Sequence, residues 1–194
     1  MMQIVCASAN PDKVAEIQAI WAGSAIELLP RPITVPAVVE DHTTLIGNAR
    51  LKARAICDAT GLPSVADDTG LFVDTLDGAP GVDTAYFAGQ HASYAENRAK
   101  MLHLLSGLPL HERTATFRTV ALLVSPDGHE LAVSGQCRGF IALTEVAGIG
   151  FGYDPIFIPA EADGRTFSQM TEHEKHELSH RGRAFRALLT ALSG

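Results

Sequence analysis

The feature that most constrains the fold is an alternation of strand and helix over the first third of the chain, followed later by a hairpin. Gln3 to Ala7 reads as a buried strand. Asn10-Pro11 then opens a helix, with Asn as N-cap and Pro at the first helical position. Val14, Ile17 and Trp21 fall on one face of that helix, and Gly23 ends it. A second helix covers Leu45 to Thr60, closed by Gly61 with Pro63 beyond. Ser64 to Ala66 is a short apolar strand that ends in Asp67-Asp68. Farther on, Ala115 to Ser125 and Glu130 to Arg138 are strands around the turn signal Pro126-Asp127-Gly128. Alternation first and a hairpin later predict an α/β fold. Its sheet is mixed, with helices on both faces, rather than purely doubly wound.

Three more helices follow from their caps. Ser93-Tyr94-Ala95-Glu96 is a capping box opening a helix from Tyr94 to about Leu105, and Thr171 to Glu174 opens a short one. Ser179 is placed to cap the last, which carries Phe185, Leu188, Leu189 and Leu192. The segment Asp74 to His91, rich in Gly, Ala and Pro, reads as a mobile or interface loop. With 194 residues, 46% of them hydrophobic and 19% charged, the chain is long enough for a real core, and it reads as one domain or two tightly joined lobes. A net charge of −7 argues against a protein that grips nucleic acid by neutralising phosphates, so a phosphate ligand needs local cations or a metal. Cys6, Cys57 and Cys137 lack metal-ligand spacing and read as free thiols in a reducing compartment. No apolar stretch is long enough to span a membrane, and the expectation is a cytoplasmic protein.

Several groups carry chemistry. Gly148-Ile149-Gly150-Phe151-Gly152-Tyr153-Asp154-Pro155 has glycines that let backbone approach a ligand and two aromatics with flat faces for a base. Lys175 and Ser179-His180-Arg181 supply cationic donors nearby in sequence. Ser8-Ala9-Asn10-Pro11-Asp12-Lys13 sits where a strand hands over to a helix, a place that favours an anion. Lys13 in the first turn, like Arg181 at the start of the last helix, is a cation at the positive end of a helix dipole, a sign that an anionic ligand would reverse. Asp67-Asp68 at a strand end and the pair Glu40-Asp41 suit a hard cation such as Mg²⁺. Each feature alone also has a plainer reading: a solvated lysine behind an ordinary cap, a turn, an acidic surface patch. Rival motifs fare worse. There is no Gly-x-x-x-x-Gly-Lys-Ser/Thr, a zinc site on His173, His176 and His180 is interrupted by Ser179, and Asp154-Pro155 follows the glycines where a dinucleotide site needs a helix.

Taken in order, Ser8-Ala9-Asn10-x-x-Lys13, Asn48-Ala49-x-x-Lys52-Ala53, Ala66-Asp67-Asp68-Thr69-Gly70, Gly78-Ala79-Pro80-Gly81, Phe151-Gly152-Tyr153-Asp154-Pro155 and Ser179-His180-Arg181 closely resemble the inosine triphosphate pyrophosphatase family, the Ham1-like enzymes. The resemblance spans nearly the whole chain. It implies hydrolysis of ITP, dITP and XTP to the monophosphate and pyrophosphate with Mg²⁺, by a homodimer. It also implies an elongated mixed sheet with flanking helices, and two lobes around a substrate cleft. By matching motif, Ser8, Ala9, Asn10, Pro11, Asp12 and Lys13 would hold the triphosphate, and Glu40 and Asp68 would bind the metal. Asp68 would accept the proton of the attacking water and Thr69 would touch substrate. Phe151, Gly152, Tyr153, Asp154, Lys175, His180 and Arg181 would enclose and read the base.

The chain departs from the pattern at several points. Ser8-Ala9-Asn10 stands for Thr-Gly-Asn, Val39-Glu40 for an acidic pair, Gly47 for a glutamate, and Thr84-Ala85-Tyr86-Phe87 for Ser-Ala-Arg-Tyr. The segment before Phe151 also lacks the frequent Pro-Arg-Gly. The alternatives are a Maf-like pyrophosphatase acting on other bases and a non-catalytic nucleotide-binding protein. The Phe151 and Ser179 blocks favour the inosine family over the first, and the carboxylate Asp68 over the second.

Overall fold

The computed structural model describes residues 1–193. Seven strands form one mixed sheet: β1 (Met2–Cys6), β2 (Ile26–Leu29), β3 (Ser64–Val73), β4 (Pro80–Gly81), β5 (Thr114–Val124), β6 (Glu130–Ile141) and β7 (Phe157–Pro159). Their order is β2-β1-β3-β5-β6-β7, with β4 paired to β3. β1 is parallel to both β2 and β3, whereas β3 with β4 and β6 with β7 are antiparallel, so the sheet is mixed, as expected. Five helices accompany them: α1 (Pro11–Ile20), α2 (Leu45–Thr60), α3 (Tyr94–Leu104), α4 (Glu172–Leu178) and α5 (His180–Ser193). Among the described residues, no helix is long and apolar enough to cross a membrane.

Caps set the helix bounds. Asn10 Oδ1 accepts from the amides of Asp12 and Lys13 to start α1, and Gly61, at φ 68°, closes α2 in the left-handed region that other residues enter at a cost. Ser93 and Thr171 make the two predicted capping boxes in full. Gly23 lies beyond the end of α1, whose last cap is Trp21.

The chain divides into two compact units. The first takes Met1–Thr69, Thr119–Gly135 and the chain from His180, and the second takes Gly70–Arg118 and Gln136–Ser179. In the first unit the inner strands β1, β3 and β5 bury residues on both faces, so their apolar residues alternate between two cores. Ile4, Cys6, Val65, Ala121 and Leu123 face α1 and α5, where Ile17, Trp21, Phe185 and Leu188 meet them. Their neighbours Val5, Ala7, Ala66, Leu122 and Val124 face α2, through Ala49, Ala53 and Ile56. Trp21 closes the first core by donating its indole N–H to the Phe185 carbonyl at 3.0 Å. The second unit has its own aromatic core. Phe117, Phe157 and Phe167 stack in sequence at centroid spacings of 4.7 and 5.3 Å, and Tyr153 meets Phe117 edge-on at 6.5 Å. All three cysteines are free and buried, as expected.

Four segments add to or differ from the sequence reading. The strand expected to stop at Ala66 continues to Val73, so Asp67 and Asp68 lie inside β3 rather than at its end. Only its first two residues pair with β1, at Ser64 and Val65, which leaves the two aspartates just past that parallel ladder. The segment read as a mobile or interface loop, Asp74 to His91, contains β4 and two short 3-10 turns, and Leu71 N–H donates to Thr84 Oγ1 at 2.7 Å. β2 and β7, four and three residues long, carried too little periodicity to be expected.

Candidate active site

The alternation of β3 decides the chemistry of the first unit. Consecutive side chains of a strand point to opposite faces, so Asp67 and Asp68 are turned away from each other. Asp67 points to the α1 and α5 side. Its Oδ2 lies 3.2 Å from Lys13 Nζ and accepts from both Nε and Nη2 of Arg181 at 3.2 Å. Arg181 Nη1 donates to Glu16 Oε2 at 2.5 Å, and its Nη2 also reaches Thr69 Oγ1, which in turn bonds Thr119. Asp68 points to the α2 side, where Lys52 Nζ donates to its Oδ1 at 3.1 Å and Asn48 Nδ2 approaches Oδ2 at 3.4 Å. Lys52 Nζ donates at the same time to Glu40 Oε2 at 2.6 Å. One ammonium therefore joins the two predicted metal-binding carboxylates. The expectation that neighbouring Asp67 and Asp68 make a cation pair is corrected, because the pleat separates them and Glu40 is the carboxylate that shares a cation with Asp68.

The two aspartates differ electrostatically. Asp67 is fully buried, which opposes ionisation, yet Lys13 and Arg181 outweigh the burial and hold its carboxyl well below the usual range. For Asp68, burial dominates, and the Lys52 ammonium offsets only part of it, so its pKa is raised. Burial also works against the Lys52 charge, but Asp68, Asp67 and Glu40 together raise its pKa and keep it protonated. Lys13 goes the other way: burial lowers its pKa, with Asp67 opposing.

The remaining first-unit residues are placed as follows. Asn10 accepts from the amides of Asp12 and Lys13, and its own N–H donates to Ser8 Oγ at 3.2 Å, so the turn from Ser8 to Lys13 is organised by its cap. Ala9, Pro11 and Asp12 are exposed. His180 and Arg181 are buried at the start of α5. The anion expected at the positive helix ends is supplied within the chain, by Asp67 for Lys13 and by Asp67 with Glu16 for Arg181.

The second unit assembles the aromatic residues. Phe151 is half-buried between Gly150 and Gly152, whose φ angles of 98° and 60° are left-handed and favour glycine. A side chain at Gly150 would also strike Asp154 Oδ2. That oxygen accepts from Phe151 N–H at 2.8 Å and from Lys175 Nζ at 2.6 Å, and the ammonium lies 4.8 Å from the Phe151 ring centroid. Phe151, Asp154 and Lys175 thus form one cluster. Tyr153 is corrected as a base platform: its ring is 95% buried in the aromatic core and its hydroxyl donates to the Thr84 carbonyl at 3.1 Å. With its left-handed φ, Gly152 turns the chain so that Phe151 stays at the surface while Tyr153 goes inside.

Sequence reasoning passed over Lys52, Asn48 and Glu16 as site residues. The first two were legible, since Asn48 and Lys52 are four residues apart and so share a face of α2. Glu16 gave no local signal.

The Ham1 family model matches residues 4–191, and the chain belongs to that family. A dITP/XTP pyrophosphatase of Streptomyces coelicolor is 41% identical over 97% of this chain and 96% of its own length. One from Yersinia pseudotuberculosis is 42% identical over 99% and 98%. A Ham1 protein from Coxiella burnetii has the same fold, with a TM-score of 0.88 at 37% identity, covering 100% of this chain and 99% of its own.

Proposed function

We propose that the protein is a nucleoside-triphosphate pyrophosphatase. It hydrolyses the non-standard purine nucleotides ITP, dITP and XTP to the monophosphate and pyrophosphate. The observation that carries this reading is the shared ammonium of Lys52 between Glu40 and Asp68, beside an Asp67 already neutralised by Lys13 and Arg181. Family membership and the relatives' names support the same reaction.

The donor set fits Mg²⁺. Glu40 and Asp68 offer hard carboxylate oxygens already sharing a cation, and no group of three or more metal-ligating side chains occurs among the described residues. Mg²⁺ is commonly held by one or two carboxylates with phosphate oxygens completing its shell. When bound, the metal would neutralise charge on the phosphates. Asp68, with its pKa raised by burial, orients the attacking water and takes its proton, since phosphoryl transfer depends on positioning and charge stabilisation. Lys13 supplies positive charge to the triphosphate, and Phe151 offers its ring face to the purine with Lys175 donating to the 6-keto oxygen. A 6-amino group presents hydrogens to that donor and leaves it unpaired, a cost of about 1–3 kcal/mol. The reading includes the homodimer that the resemblance implies and the cytoplasmic location that three free thiols suit. The net charge of −7 favours a free nucleotide over nucleic acid as substrate.

The test is pyrophosphate release from ITP, XTP, dITP, GTP, ATP and dTTP with Mg²⁺. Turnover of the first three well above ATP and dTTP is expected. A preference for dTTP would replace this reading by a Maf-like one, and binding without turnover would leave a nucleotide-binding protein.

A further inference from the structure

We propose that Arg98, with Tyr94 one turn before it on α3, is a positioning residue for base recognition: it fixes the Phe151-Gly152 turn in addition to Asp154 and Lys175. The inference rests on the reading that Phe151 and its neighbours receive the base. Two left-handed glycines flank Phe151, and glycine backbone is the freest of any residue, so the direction of that ring has to be imposed from outside. Asp154 and Lys175 do so through the Phe151 amide and ring face. α3 supplies the other hold. Its start is set by the Ser93–Glu96 capping box, which places Tyr94 and Arg98 four residues apart on one helical face. The Tyr94 ring meets the Phe151 ring at 6.1 Å with a tilt of 43°. Arg98 Nη1 donates to the Gly152 carbonyl at 2.9 Å, and Nη2 donates to Glu145 Oε1 at 2.7 Å.

The geometry of that fork is informative. Glu145 and Gly152 lie on the two limbs of one loop, which is closed behind them by the Val146 N–H to Pro155 carbonyl bond at 2.9 Å. The guanidinium therefore spans the loop, and does so with its Nε buried and without a hydrogen-bond partner. A surface arginine serving only for solubility would turn that N–H to water. This one keeps both Nη groups on the loop and leaves a buried donor unsatisfied, which is costly. α3 itself is anchored by Asn97, which donates to the Ala85 carbonyl at 2.9 Å and accepts from Ala88 N–H at 2.7 Å, so the fork is held on a fixed support.

The quantity to measure is the ratio of kcat/KM for ITP to that for ATP, in wild type, Arg98→Ala, Arg98→Lys and Phe151→Ala, with a thermal melt of each. Loss of the fork lets the ring wander, and the preference for ITP falls about tenfold in Arg98→Ala, mainly through KM for ITP. Arg98→Lys keeps the charge but cannot span both limbs, so it recovers less than half of the loss on a logarithmic scale. It is also the deciding variant if the alanine does not fold. A merely structural role predicts a lower melting temperature with both substrates affected equally and the ratio intact, and that result overturns the proposal. If Phe151→Ala shifts the ratio and the Arg98 variants do not, the base-reading assignment stands and the inference is wrong. If Phe151→Ala itself leaves the ratio unchanged, this turn does not read the base and both fall.

Discussion

Asp67→Asn is the most direct probe of the buried charge cluster, because it removes a charge and almost no volume. An asparagine oxygen can still accept from Arg181 and Thr69, so its amide nitrogen must take the place of Oδ1, which is buried and has no hydrogen-bond partner. An unsatisfied buried donor costs about 1–3 kcal/mol. Lys13 and Arg181 then face each other with their shared anion gone, and breaking a buried ion pair this way costs about 3–5 kcal/mol in all. Glu16 remains on Arg181, and Lys13 keeps 19% of its side chain exposed, so the low end, about 3 kcal/mol, is the expected value. For a chain of this length each kcal/mol moves Tm by about 2–4 °C, giving a fall of about 6–12 °C at pH 7. Trp21, buried in the same core, reports the transition by fluorescence. The pH dependence has a definite sign. The Asp67 carboxyl is depressed, so its stabilisation is complete above the ordinary carboxylate pKa of about 4 and is lost as pH falls towards its folded value. The gap between wild type and variant therefore narrows in acid. A variant melting within about 2 °C of wild type at pH 7, or a gap that widens below pH ~4, would refute the assignment of Asp67 as a fixed, doubly paired anion.

Asp68→Asn should lower turnover by about 10²–10⁴-fold with little change in Tm, read by steady-state rates and a melt; near-normal activity in the folded variant rules it out as the base. Lys13→Ala should reduce kcat/KM for ITP and GTP by similar factors, and a loss confined to one base would place Lys13 at the purine. Lys52→Met should lower the Mg²⁺ concentration needed for half-maximal activity, because it removes the cation that occupies the Glu40 and Asp68 oxygens, and an unchanged Mg²⁺ profile would contradict the shared site. Cys6, its thiol pushed up to about 11 by burial, should resist alkylation at pH 8 until the chain unfolds, as mass spectrometry of the labelled protein would show.

The parts of the fold legible in the sequence were those with local signals. The caps at Asn10, Gly61, Ser93 and Thr171 each act within four residues, and the structure places all of them. What escaped was non-local. Asp67-Asp68-Thr69-Gly70 has the composition of a turn, and composition alone cannot show that β3 runs on as an inner strand between β1 and β5. Tyr153 looked equivalent to Phe151, two residues away, until Gly152 took a left-handed turn and sent one ring outward and the other into the core. Lys13 and Arg181 read as cations suited to an anionic ligand at helix starts, with Arg181 also expected at the base, and nothing local showed that each is paired within the chain. Their anions come from the chain itself, and Asp67 lies 114 residues from Arg181, beyond any spacing rule.

The same pleat that hid these partners gives two adjacent aspartates opposite electrostatic surroundings. Asp67 meets two cations on the α1 and α5 face, which hold its carboxyl ionised well below the usual carboxylate range. Asp68, one residue on, meets a single lysine that it shares with Glu40, while burial pushes its pKa up. A group held far below its usual pKa is a poor base, because it surrenders a proton as fast as it gains one. A carboxylate with a raised pKa is better suited to take one. One step along a strand therefore separates a structural charge from a group suited to proton transfer. The rigid pairing of Asp67 also keeps Lys13 and Arg181 on its own face, leaving Lys52 as the counter-ion that Asp68 shares with Glu40.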